Sequence, residues 1–212
     1  MHAEAALKTF LDNRKPGEGP SIPPTGAAAP INRPNYNLPI PPENPLQTKA
    51  ATKLIGLAVG EINRNVDEEA AAERILQYWH AIPSFNATNI RTPWSGAFLA
   101  WLIRETGNND NLPMAPSHMV IWRDALTKKL TFAPNEKPVL PGDILIFLRA
   151  PAENLEDVRA GRALSVSSGA GVVYSSSPDK FSAIQGNTGS AIRLHDHVMT
   201  EKIVGFIRLS DH

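Results

Sequence analysis

One stretch limits the folds open to this chain more than any other: Thr92-Pro93-Trp94-Ser95-Gly96-Ala97-Phe98-Leu99-Ala100-Trp101-Leu102-Ile103-Arg104-Glu105-Thr106-Gly107. Thr92 is available as a helix cap, Pro93 has the fixed φ of a first-turn residue, and Gly107 can close the far end. Phe98, Leu99, Trp101, Leu102 and Ile103 make most of the helix surface apolar, so the helix belongs inside a core rather than on its surface. Ser95 stands at its mouth, beside unpaired amides and the positive end of the helix dipole, where a nucleophile or a developing anion is stabilised. Taken alone, Ser95 reads first as a residue that starts a helix, with the nucleophile as the sharper alternative.

A chain of 212 residues holds one sizeable domain, or one domain plus an extended arm. Lysine plus arginine and aspartate plus glutamate both number 21, so no basic field for nucleic acid or anionic lipid arises at the whole-chain level. There is no cysteine, which removes disulfides, thiolate metal sites and any thiol nucleophile but leaves the compartment open. The first residues lack the apolar core of a secretory signal, and no apolar run approaches the length of a membrane span. Action outside the cytoplasm therefore implies a route other than general secretion.

Residues 1 to about 13 have the spacing of a short amphipathic helix through Ala6, Leu7, Phe10 and Leu11. Lys15 to Pro45 then holds ten of the 19 prolines and favours polyproline II or coil. It reads as a linker or leader, or as a docking arm laid along the main domain through Ile31, Tyr36, Leu38 and Ile40. The division expected is a proline-rich arm over 1–45 and an ordered domain over 46–212.

Helical spacing of Leu54, Ile55, Ala58, Val59 and Ile62 predicts a helix over about 46–64. Asp67-Glu68-Glu69 opens a second, with Ile75, Leu76 and Trp79 inward and His80 at its end. Ser117 caps a fourth helix and puts His118 in its first turn, where the dipole favours a neutral imidazole; a capping-turn histidine and a general base are both open. From about residue 131 the pattern turns to strands: 139–148 after the Pro141-Gly142-Asp143 turn, 171–174, a hairpin of 181–184 and 191–194, and 203–209. The charged stretch 150–163 reads as a loop or short helix. Helices first and a meandering antiparallel sheet afterwards is an α+β plan.

Three blocks in this order, Trp94-Ser95-Gly96-Ala97-Phe98, Pro141-Gly142-Asp143-Ile144-Leu145-Ile146-Phe147 and Gly169-Ala170-Gly171-Val172-Val173-Tyr174 with Asn187 behind it, resemble the NlpC-type and CHAP-type papain-like peptidoglycan hydrolases. The likeness runs over roughly 60 to 209. It is strongest to a branch with a Trp-Ser-x-Ala-Phe motif, preceded by a Tyr-Trp pair like Tyr78-Trp79 and followed by a histidine like His118. In that superfamily a cysteine opens the buried helix, a histidine opens the second core strand, and a polar residue on the third orients it. Here Ser95 stands at the cysteine position and Gly169, beside Ser168, at the histidine position. Serine is the weaker nucleophile and needs a positioned base.

The resemblance implies a papain-like fold, N-terminal helices packed on a small antiparallel sheet, and hydrolysis of an amide bond in cell-wall peptide. It implies Ser95 as nucleophile, His118 as base, Asn187 as polar helper, and Trp94, Ser168 and Gly169 as substrate-lining positions, with no cofactor. His195 and His197 around Asp196 are second-choice bases, and a metal site there is not expected without a thiol. Asp143 reads as a turn residue. Without a secretory signal, such a hydrolase suits a type VI secretion effector carried to a target-cell periplasm, with an immunity protein as partner. The opposing reading is a catalytically degenerate module that keeps the cleft and binds a peptide or protein.

Overall fold

The structure, a computed structural model, describes residues 34–85, 90–108, 112–150, 154–200 and 202–211. The helix expected within 1–13 and the arm residue Ile31 lie outside the described residues. Periodicity becomes packing first in α1 (Lys49–Asn63), where Leu54, Ile55, Ala58, Val59 and Ile62 are buried. Thr48 caps it by accepting from the Ala51 amide at 3.0 Å, and its hydroxyl donates to the Leu209 carbonyl at 2.7 Å. One residue thus starts the first helix and fastens it to the end of the domain.

The second helix, α2 (Ala72–Trp79), starts later than its acidic signature suggests. The Asp67 carboxylate accepts from the amides of Glu69 and Ala70 at 2.9 and 2.7 Å, and Asp67 bridges to Ala191. That triplet is therefore held as a turn against the sheet. The central helix is α3 (Ser95–Thr106), in which Ser95 through Ile103 are all buried and Gly107 ends the helix at φ 86°. Its N-cap is Trp94, not Thr92, and no side chain caps it. α4 (His118–Thr127) opens as expected at Ser117, and α5 (Leu155–Arg159) is the short helix of the charged stretch.

The strands are β1 (Thr131–Phe132), β2 (Ile144–Leu148), β3 (Ser168–Ser176), β4 (Lys180–Thr188), β5 (Ala191–Val198) and β6 (Ile203–Ile207), all paired antiparallel in the order β1-β6-β2-β3-β4-β5. The class is α+β. β2 to β5 meander as expected, but β6 returns to the other side of β2, and β1 is too short to leave a sequence pattern. One face, with Ile144, Ile146, Leu148, Ala170, Val172 and Ile184, packs on the helices; the other carries Leu145, Val173, Phe181, Ala183 and Phe206. On that second face Phe181 meets Phe206 at 5.5 Å and Phe147 meets His197 at 5.0 Å between ring centroids. Each pair is three strands apart, which in a flat sheet is about 14 Å. The sheet is therefore rolled, with the second cluster inside the roll and the helices on its outer face.

Pro141-Gly142-Asp143 is turn chemistry, as its sequence suggests. Gly142 has φ 87°, and a Cβ there would overlap the Ala51 carbonyl. Asp143 is fully buried, accepts from the Leu140 amide at 2.7 Å and takes both arms of Arg208 at 2.8 Å. Burial pushes its carboxyl up, and Arg208 pulls it back.

The compact unit begins at Pro34, not Leu46. Proline leaves few backbone donors in this arm, and two of those that remain are used on asparagines: Tyr36 N–H donates to Asn65 and Leu38 N–H to Asn63, at 3.2 and 2.8 Å. The Asn63 amide returns a bond to the Leu38 carbonyl at 2.9 Å, and the Tyr174 hydroxyl donates to the Pro39 carbonyl at 3.0 Å. Tyr36 and Leu38 pack on the core while Ile40 stays 61% exposed. Tyr36, Leu38 and Pro39 thus run along α1 and β3.

Candidate active site

Gly96 builds the site. A Cβ at this position would overlap the Pro116 carbonyl, so the mouth of α3 rests on the backbone that leads into α4. Ser95 and His118, far apart in sequence, are thereby brought to neighbouring helix N-termini. Gly96→Ala should lower stability by about 1–3 kcal/mol through this backbone overlap. Gly60→Ala, in an exposed turn of α1 with nothing within 4 Å of a new Cβ, should instead gain up to about 1 kcal/mol. Urea midpoints of the two variants check the contrast.

Ser95 is 7% and His118 6% exposed. The His118 ring faces the backbone of Ser95 and of Ser168, and its Nε2 is buried without a hydrogen-bond partner. Burial pushes this imidazole down to about 4, the charge of Arg149 adds to the effect, and the carbonyls of Ser168 and Ser95 oppose it. His118 is therefore neutral at pH 7, and the same burial weakens it as a base until a partner charge or substrate offsets it. Among the described residues no hydrogen bond joins the Ser95 hydroxyl to an imidazole.

The lowered value has a consequence for folding. Between about pH 4 and pH 6.5 the unfolded chain protonates this imidazole and the folded protein does not, so stability falls as pH is lowered through that window. The loss is complete below the folded value and amounts to about 3 kcal/mol. Urea titrations at several pH values should show a shallower fall in His118→Gln than in the unsubstituted protein; equal slopes would contradict it.

The other expected site residues are distributed unevenly. Trp94 is 0% exposed: its indole donates to Glu68 at 3.0 Å and packs near Tyr78 and Phe98, so it anchors the helix mouth from inside and presents no surface to a ligand. Ser168 pairs with Leu148 on the helix side of the sheet, next to His118. Gly169 pairs with Phe147, and a Cβ there would run into that ring on the opposite face. A histidine at 169 would point away from Ser95, and the strand position facing the helices is Ser168.

His195 and His197 pair with Ala183 and Phe181, which also puts them on the inner face of the roll, across the sheet from Ser95. His197 lies 2.5 Å from the Gln185 side-chain nitrogen and stacks on Phe181; burial, with His195 nearby, pushes its imidazole down against the pull of Asp196. Asn187 sits in the left-handed region at φ 56°, beside Gly186, whose backbone packs on Phe98 one turn into α3. It is near the helix mouth, but among the described residues its amide bonds neither histidine nor serine. Among the described residues no three His, Cys, Asp or Glu side chains converge in a way that would hold a metal, and no helix is long and apolar enough to cross a membrane.

A family model described as an uncharacterized protein conserved in bacteria (DUF2272) matches residues 66–211, more than two thirds of the chain. The chain belongs to this family. The matched span contains α2 to α5 and all six strands, with Ser95, His118 and Ser168, and leaves out the docking arm and α1. Comparison with curated proteins and with solved structures found no match. Arg149 is the site residue that the sequence did not mark: it follows β2, and only the pairing of its amide with the Ser167 carbonyl at 2.9 Å puts it beside Ser168 and His118.

Proposed function

We propose that this member of the DUF2272 family is a papain-like acyl-transfer hydrolase that cleaves an amide bond in the peptide of the bacterial cell wall. The observation that carries the reading is the convergence of a buried serine and a neutral imidazole with an unpartnered Nε2 at two touching helix mouths. Ser95 Oγ attacks the substrate carbonyl and its proton passes to His118. The tetrahedral oxygen is received by the amides at the start of α3. Collapse expels the amine, which takes the proton from His118, and water then releases the acyl group from Ser95. Substrate binding has to bring the hydroxyl and the imidazole into contact, a tightening common between free and occupied sites. The resemblance noted above supports the cell-wall substrate and delivery to a target-cell periplasm by a type VI machine, with an immunity protein as partner.

A second reading, a peptide-binding module without chemistry, is favoured by the missing Ser95–imidazole hydrogen bond and by glycine at 169. Purified protein incubated with purified peptidoglycan separates the two when soluble fragments are analysed by mass. Release of fragments with a new amine terminus, lost in Ser95→Ala, supports hydrolysis. Retention of the protein on sacculi with no fragment released supports the module, and equal cleavage by Ser95→Ala removes Ser95 as nucleophile.

A further inference from the structure

Trp94 lies directly before Ser95 and is held by a side chain that no catalytic step uses. Thr48, Ser117 and Asn154 start their helices with their own side chains, each accepting from a backbone amide. Indole is a donor only, so Trp94 cannot cap α3 in that way. Its Nε1–H donates instead to the Glu68 carboxylate at 3.0 Å, while its carbonyl accepts from the Phe98 amide at 2.9 Å. Trp94 is 0% exposed, so without Glu68 this N–H would be left buried and away from water.

Glu68 is itself placed by the sheet. Residues 66–68 run beside the start of β5: the Ile192 amide donates to the Val66 carbonyl and the Glu68 amide to the Ser190 carbonyl, both at 3.0 Å, and Asp67 bridges to Ala191. Within the acidic triplet Asp67 closes the turn on the amides of Glu69 and Ala70, Glu69 is exposed, and Glu68 reaches inward to Trp94. The same β4–β5 hairpin carries Asn187 and Gly186, whose backbone packs on Phe98. The family match opens at residue 66, on this segment.

We propose that Glu68 is a positioning residue of the site: through the Trp94 indole it locks the start of α3, and with it Ser95, to the β4–β5 hairpin. The proposal rests on the reading of Ser95 as the reacting group and names what holds it in place. Tyr78 and Phe98 pack beside the Trp94 ring at 5.9 and 6.5 Å between centroids. That packing fills space, and the hydrogen bond adds the direction in which the ring edge must point. A displacement of about 1 Å at a reacting atom costs about a hundred-fold in rate, so the lock acts on turnover rather than on substrate affinity.

The test compares Glu68→Gln, which keeps an acceptor at the same reach, with Glu68→Met, which keeps the stem and removes the acceptor. Both lose the carboxylate charge, so a difference between them reads the bond. In the full chain, Glu68→Met should move the Trp94 indole proton resonance and with it the amides of residues 95–97, while the amides of 119–122 in α4 stay in place. On peptidoglycan fragments it should lower kcat about ten-fold or more with KM unchanged. Glu68→Gln should return the resonances and kcat toward those of the unsubstituted protein. Trp94→Phe, which keeps a ring and deletes the donor, should displace 95–97 likewise, and adding Glu68→Met to it should displace them no further. Amides 95–97 unmoved in Glu68→Met, equal displacement in the glutamine and methionine variants, or a further displacement in the double variant overturns the lock. The resonances are read without substrate, so a protein that cleaves no peptidoglycan can still show the lock and loses only the hydrolase reading. A hydrolase with the same kcat in both Glu68 variants loses the lock alone.

Discussion

Ser95→Ala should lower the rate of amide cleavage by about three to four orders of magnitude, and Ser95→Cys should retain or exceed the activity of the serine form. Alanine removes the attacking atom and leaves only the pull of the α3 amides on the carbonyl oxygen. Cysteine at the same place needs less from His118, because a helix N-terminus favours the thiolate directly. The contrast is informative because no imidazole bonds the Ser95 hydroxyl among the described residues, so the demand on the base is the weak point of the serine site. His118→Ala should cost most of the serine activity and less of the cysteine activity. Rates on isolated peptidoglycan fragments measure the four variants against the unsubstituted protein, and a Ser95→Cys variant as inactive as Ser95→Ala would remove the chemistry from this helix mouth.

The helices were legible where amphipathic period and cap coincide. Ser117 and the glycine at 107 mark their helix ends correctly, while Asp67 does not mark a helix start because its carboxylate is spent on a turn and its backbone on the sheet. The strand runs were also readable, but not the return of β6 to the side of β2 or the rolling of the sheet, which depend on pairings between distant segments. That rolling decides the site. It sends His195 and His197 to the inner face and keeps Ser168 on the helix side, a distinction that alternation alone cannot assign without knowing which face the helices cover. Arg149 was invisible for the same reason: its place beside His118 follows from strand pairing, not from a motif.

Replacing Glu61 by alanine should cost about 3–5 kcal/mol, because it leaves buried polar partners without their anion. Glu61 is 3% exposed and takes Arg74 through two bonds at 2.8 and 2.6 Å, the Tyr78 hydroxyl at 2.6 Å and Arg64 at 3.3 Å. Burial, with the Glu61 charge beside it, pushes the Tyr78 phenol well above its ordinary range, so it remains a donor. Arg74 also lies 4.5 Å from the Trp101 ring, and Tyr78 packs on Trp94, Phe98 and Trp101, so the network reaches along α3 to the residue that precedes Ser95. A conservative Glu61→Gln keeps the shape and one acceptor and should lose only about 1–3 kcal/mol. Glu61→Leu combined with Arg74→Met and Tyr78→Phe removes the buried ion pair and the phenol together, leaves only the largely exposed Arg64 to be met by water, and should fold with nearly the original stability. Urea midpoints at constant slope measure these differences. If the triple variant proves as unstable as Glu61→Ala, the cost lies in lost packing around α3 rather than in stranded charge, and the ion pair would then be the support of the aromatic cluster rather than its burden.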